Sequence, residues 1–179
     1  MQKKTTKSNM LISKLIDQKK SGLSVYRKTS SKTIFIIKST YHDNITSSIT
    51  YDFINNLPES QKKLVCVIDV PGTFEIPYAI KIILEKLKKK ISKKKIIFLA
   101  VGCVIKGETK HDEYISSTVI NALRNLSLEY KVPVINGIIT TLTYKQAIDR
   151  AGKKYRKGKD FASSLQMIID LIKISDTIK

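Results

Sequence analysis

In a chain of 179 residues with only two histidines and four arginines, each of these side chains can be weighed by its neighbours. His111 lies in "VIKGETKHDEYI", Val104–Ile115, where an apolar run gives way to helical spacing. An imidazole there could take up and return a proton near neutral pH. Just before it, Gly107-Glu108-Thr109 leads into a helix, so backbone N–H groups and the positive end of the helix dipole could hold an anion. Arg150, in "DRAG", would complete a phosphate site through its forked donors if the fold brought it alongside. Plainer readings stand beside these. Thr109 can be a helix cap, His111 a cap or surface group, and Arg150 an ordinary helix-surface residue.

Two further stretches carry polar and aromatic groups. In "VPGTFEIP" the Pro71-Gly72 pair breaks a strand, and Phe74 and Glu75 then open a helix. A carboxylate is favoured at such a helix start and can accept hydrogen bonds from hydroxyls. Tyr41, next to His42, is either a stacking platform or a core ring. The two cysteines, Cys66 and Cys103, fall inside apolar strands and read as buried free thiols. They have neither metal-ligand nor disulfide spacing, so no metal is expected.

The elements that must position these groups alternate. Strands are expected at "TIFIIKST" (33–40), "KLVCVIDV" (63–70), "KIIFLAVGCVI" (95–105) and "VPVINGIITT" (132–141), as near-continuous apolar runs. Helical spacing follows each: 44–57 with Pro58 as its stop, Glu75 to Lys89, Asp112 to Lys131, Thr143 to Ala151, and Lys159 to Ile174. That order implies a three-layer α/β/α sandwich around a parallel sheet. Ligands of such sheets bind beyond the carboxyl ends of the strands. Tyr41, His42, Thr73, Phe74, Glu75, Glu108, Thr109 and His111 all follow strands, so a small phosphorylated ligand is expected at one rim.

Composition bounds the rest. The formal charge of +18 invites a nucleic-acid reading. Yet lysine outnumbers arginine 29 to 4, isoleucine occurs 28 times and alanine 6 times. AT-rich coding explains that pattern, and nucleic acid is not expected as a partner. No apolar run is long enough to span a membrane. "MQKKTTKSNM" is basic but leads into no signal-peptide core, so a cytoplasmic protein is expected. Residues 1–21 read as a basic N-terminal arm and 22–179 as one domain, with "GLSVYRK" (22–28) as a short added strand.

The segments "VPGTFEIPYAIK", "GCVIKGETKHDEYI", "VPVINGIITTLTYKQAIDRAG" and "KGKDFA", in this order and spacing, resemble the 6,7-dimethyl-8-ribityllumazine synthases. The resemblance implies a flavodoxin-like fold with a four-stranded parallel sheet, its N-terminal strand added to a neighbouring subunit. It implies a transferase of riboflavin biosynthesis. Such an enzyme condenses 5-amino-6-(D-ribitylamino)uracil with 3,4-dihydroxy-2-butanone 4-phosphate, without a cofactor. By position, His111 matches the proton-transfer histidine and Arg150 the phosphate-binding arginine, with Glu108 and Thr109 beside the phosphate. Tyr41, His42, Thr73, Phe74, Glu75, Cys103, Val104, Ile105, Asn136 and Lys157 match the groups around the pyrimidine and ribityl chain. The family further implies homopentamers with active sites shared between subunits, in many members assembled into a sixty-subunit icosahedral shell. Riboflavin synthase is a candidate partner.

Three positions depart from the family pattern. Tyr41 replaces a phenylalanine, His42 a frequent asparagine, and Asn136 a common phenylalanine. The turn "AGKKYRK" after Arg150 replaces a Gly-rich one and is a residue shorter. Asn136 and the shortened turn motivate a rival: a catalytically silent shell or polyanion-binding scaffold of the same fold. A flavodoxin-like binding module is a third reading, but it gives His111 and Arg150 no joint purpose.

Overall fold

The computed structural model of the protein describes residues 33–87 and 96–178. The expected arm 1–21, the expected strand 22–28 and the basic stretch 88–95 lie outside the described residues. Strands β1 (Thr33–Ser39), β2 (Val65–Val70), β3 (Ile96–Ile105) and β4 (Val134–Thr141) form one parallel sheet in the order β2-β1-β3-β4. Helices α1 (Asp43–Asn55), α2 (Glu59–Lys62), α3 (Ile76–Leu87), α4 (His111–Tyr130), α5 (Tyr144–Ala151) and α6 (Lys157–Thr177) alternate with them. The expected α/β sandwich is what the chain forms.

Two apolar layers flank the sheet. On one face Ile34, Ile36, Leu99 and Val101 meet Ile45, Ile49 and Phe53 of α1, Ala147 and Ala151 of α5, and Ala162 and Leu165 of α6. On the other, Phe35, Ile37, Phe98 and Ala100 meet Ile76, Ile80 and Leu84 of α3 and Val119, Leu123 and Leu126 of α4. Alternate side chains of each strand point to opposite faces, so a strand covered on both must be apolar throughout. β1 is buried along its whole length, and β3 up to Cys103. Phe35 and Phe98 stack across the β1–β3 pair with centroids 5.3 Å apart. Truncating either to alanine would cost about 3–5 kcal/mol.

The edges differ from the centre. β2 is only half-covered, and Cys66 is therefore half-exposed rather than buried as expected. On β4, Asn136 and Thr140 reach solvent. The short helix α2 was not foreseen: Pro58, read as a stop, is also its N-cap residue, and the turn it starts delays β2 to Val65. Helix α6 is longer at both ends than expected, running Lys157–Thr177.

One residue breaks the apolar rule. Lys38, near the end of β1, has a buried side chain whose ammonium lies 2.6 Å from Asp43 Oδ1 and 3.2 Å from Asp69 Oδ1. Asp69 is its register partner on β2, and Asp43 opens α1. A buried ammonium is tolerable only when paired in this way.

Candidate functional site

The chain turns sharply after β1. His42 takes a left-handed conformation (φ 59°, ψ 46°), and its carbonyl accepts from the N–H groups of Ile45 and Thr46 to start α1. The Thr46 hydroxyl donates to the Ser39 carbonyl at 2.7 Å, and Lys38 ties Asp43 to β2. The turn that carries Tyr41 and His42 is thus braced from three directions. Tyr41 itself is 66% exposed, which removes the core reading. The His42 ring sits 4.4 Å from that of Tyr41 and 6.1 Å from that of Tyr144, while the Asn44 amide donates to the Tyr144 hydroxyl at 2.6 Å.

The segment after β2 lies against this turn. Tyr41 N–H donates to the Pro71 carbonyl at 3.1 Å, and Thr40 N–H to that of Val70 at 2.8 Å. Thr73 then crosses the end of β1 and seats its side chain on Gly102 of β3. A Cβ on Gly102 would stand 2.7 Å from Thr73 Oγ1 and 2.9 Å from Ile138 Cδ1, so only glycine leaves room. Thr73 is buried, Glu75 half-buried with its carboxylate folded over Gly72, and Phe74 exposed. Cys103 is buried, and burial pushes its thiol up to about 11, so it stays protonated at neutral pH. Val104 and Ile105, half-buried, lead out to the rim.

After β3 the chain opens to solvent. Lys106 N–H still pairs with the Thr141 carbonyl at 2.8 Å, but residues 106–111 are all exposed. The Gly107 N–H reaches Asp112 Oδ1 at 3.4 Å, and the His111 N–H reaches Thr109 Oγ1 at the same distance. The N-cap residue of α4 is Lys110, which makes no side-chain cap bond, so the plainer reading of Thr109 as the cap is not what the chain forms. The loop heads a twenty-residue helix whose dipole favours an anion. His111 is the first residue of α4.

The structure brings together Tyr41, His42, Thr73, Phe74, Glu75, Cys103, Val104, Ile105, Glu108, Thr109 and His111, all at the carboxyl ends of β1, β2 and β3. It does not bring Arg150, Asn136 or Lys157 to them within one chain. Arg150 lies in the last turn of α5, about 10 Å along the helix from its start at 1.5 Å per residue. Helix α5 packs on the α1 face of the sheet, whereas His111 heads α4 on the opposite face. Arg150 donates to the Gln146 carbonyl at 3.2 Å, and its guanidinium sits 5.8 Å from the Tyr155 ring centroid. Asn136 is exposed on the edge strand β4, its Oδ1 accepting from Ile138 N–H at 3.0 Å. Lys157 opens α6 and pairs with Asp160 at 2.8 Å.

Sequence reasoning missed four supporting side chains: Lys38, Asn44, Tyr144 and Tyr155. Only Lys38 left a signal, as the one charge in an otherwise apolar strand. Among the described residues no group of three or more His, Cys, Asp or Glu is placed to hold a metal ion, and no helix is long and apolar enough to cross a membrane. Compared with protein-family models, the chain matches over residues 31–173 the one described as 6,7-dimethyl-8-ribityllumazine synthase.

Proposed function

Because the chain belongs to the 6,7-dimethyl-8-ribityllumazine synthase family of riboflavin biosynthesis, we propose that it condenses 5-amino-6-(D-ribitylamino)uracil with 3,4-dihydroxy-2-butanone 4-phosphate. The observation that carries this is the gathering of Tyr41, Thr73–Glu75, Cys103–Ile105 and His111 at three adjacent strand ends. That rim offers an exposed aromatic face for a heterocycle, a carboxylate and a threonine for sugar hydroxyls, and a helix start for phosphate.

Chemistry follows from these groups. The pyrimidine, stacked on Tyr41, presents its amine to the ketone, and water is lost as the imine forms. His111 takes the proton from the adjacent carbon, and the electron pair expels phosphate from the next one. The enol so formed tautomerises to a ketone. Attack by the ribityl-bearing nitrogen closes the second ring with loss of another water. Both substrates are reactive in water, so the protein contributes chiefly by holding them together and saving the entropy of their encounter. Main-chain donors at 108–109 and the Arg150 guanidinium would stabilise the departing dianion.

Since His111 and Arg150 lie on opposite faces of one sheet, the complete site is assigned to the junction of adjacent copies in a homopentamer. One copy supplies the rim, and its neighbour supplies Arg150, Asn136 and Lys157. Assembly of pentamers into a closed shell in the cytoplasm is part of the same proposal.

The test is direct. Purified protein given both substrates should form a fluorescent lumazine and release phosphate. His111→Ala should slow turnover about 100-fold, the low end for a positioned acid–base group. Arg150→Ala should raise the KM of the phosphorylated substrate at least about tenfold, as for a lost charge-assisted hydrogen bond. No product from correctly assembled wild-type protein would refute the proposal.

A further inference from the structure

Little holds Arg150 in place. Its guanidinium donates to the Gln146 carbonyl at 3.2 Å, and the neighbouring carboxylate of Asp149 is taken by Lys154 at 3.3 Å. Most of the fork is thus left for an anion, while the long stem alone does not fix where it points. One further group does. The Tyr155 ring centroid lies 5.8 Å from Arg150 Cζ and 5.1 Å from Lys154 Nζ. A ring face attracts a guanidinium without consuming its N–H donors.

Tyr155 is 50% exposed, so its ring is placed by the turn that carries it and not by a core. That turn, residues 152–156, folds back over the end of α5. The Tyr155 N–H donates to the Asp149 carbonyl at 3.1 Å and the Arg156 N–H to that of Gly152 at 3.0 Å. Arg156 then takes a left-handed conformation (φ 47°, ψ 51°), which side chains of its size rarely adopt. A contact from outside the turn must hold it there.

Asp52 of α1 supplies that contact. Its Oδ1 accepts from Arg156 Nη2 at 2.7 Å and its Oδ2 from the Lys159 N–H at 2.9 Å. The Asp52 side chain is only 17% exposed, and both bonds are charge-assisted. Asp52 also ends a row. The Asn44 amide donates to the Tyr144 hydroxyl at 2.6 Å, and the Ser48 hydroxyl to the Ala151 carbonyl at 3.1 Å. Positions 44, 48 and 52 share one face of α1, so the row fastens the start of α5, its end and the turn beyond it.

We propose that Tyr155 is a positioning residue for Arg150, and that the Asp52 staple on Arg156 and Lys159 holds it over the guanidinium. The ring sets the direction in which the free part of the fork meets phosphate. This deepens the proposed function and rests on its assignment of phosphate to Arg150. Preset donors bind an anion more tightly than donors that must first be ordered.

Inorganic phosphate, titrated calorimetrically into the assembled full-length protein, reads this without turnover. Tyr155→Leu should weaken phosphate binding about three- to fivefold, the size of a cation over an exposed ring, and Tyr155→Phe should stay within about twofold of wild type. In an Arg150→Ala background Tyr155→Leu should change nothing further. Asp52→Ala should weaken phosphate by the same route, its effect merging with that of Tyr155→Leu instead of adding to it. Equal binding by wild type and Tyr155→Leu would overturn the proposal, as would wild type that binds no phosphate. So would a loss that persists in Arg150→Ala, because the ring would then act on the fold alone. Protein that follows the expected pattern but makes no lumazine would uphold this proposal and remove the proposed function; lumazine formed without the pattern would do the reverse.

Discussion

Lys38, Asp43 and Asp69 fix the Tyr41–His42 turn from beneath, whereas the loop of residues 106–110 meets solvent along its whole length. The first region adds a Thr46–Ser39 hydrogen bond, main-chain bonds to Val70 at the end of β2 and to Pro71 after it, and Thr73 wedged on Gly102. Beyond the Lys106–Thr141 main-chain bond at its start, the second has two long contacts of 3.4 Å and open space around Gly107. A flat ring needs a platform already in place, because any movement costs stacking area. A phosphate can draw loose main-chain donors around itself, because each bond it forms is charge-assisted. Under the proposed function, the stacking side would be rigid and the anion side adjustable.

Breaking the brace should give the largest effect. Lys38→Met leaves Asp43 and Asp69 without their shared cation, and since both carboxylates are about half-solvated, a loss of about 3 kcal/mol is expected in urea unfolding. Among the surviving folded molecules the KM for the pyrimidine should rise more than that for the phosphorylated substrate.

Cys103 should come next, and only in alkali. Its thiol, raised by burial from 9.0 to about 11, favours folding while it is protonated. That contribution is complete below pH 9 and is lost as pH climbs to about 11, in total about 2–3 kcal/mol. The stability difference between wild type and Cys103→Ala, followed by denaturation across this window, should shrink by that amount. The two glycines sharpen the contrast further. Gly102→Ala must displace the Thr73 side chain and should cost about 2 kcal/mol, with weaker pyrimidine binding. Gly107→Ala meets nothing within 4 Å and should shift stability by no more than about 0.5 kcal/mol.

Much of this was legible in the sequence because it is local. The apolar runs of β1 and β3 could belong only to strands covered on both faces, and the helices between them followed from periodicity. The four residues of α2 were too few to show a period, and Pro58 hid their start. On the rim, Thr73–Glu75 and Glu108–His111 were legible because each follows a strand directly. The position of Arg150 on the face away from His111 was not, since it depends on which side of the sheet α5 packs. The sequence also places Lys38 in a strand without naming its partners, which lie five and thirty-one residues away.

The proposed division of the site between copies is tested most directly by putting His111→Ala and Arg150→Ala chains into one assembly by co-expression. Each variant alone should be nearly inactive. In a mixed ring, about one junction in four pairs an intact His111 with an intact Arg150 from the adjacent chain, so activity should return to roughly that fraction of wild type. Mixed assemblies no more active than the two variants measured apart would contradict the shared site.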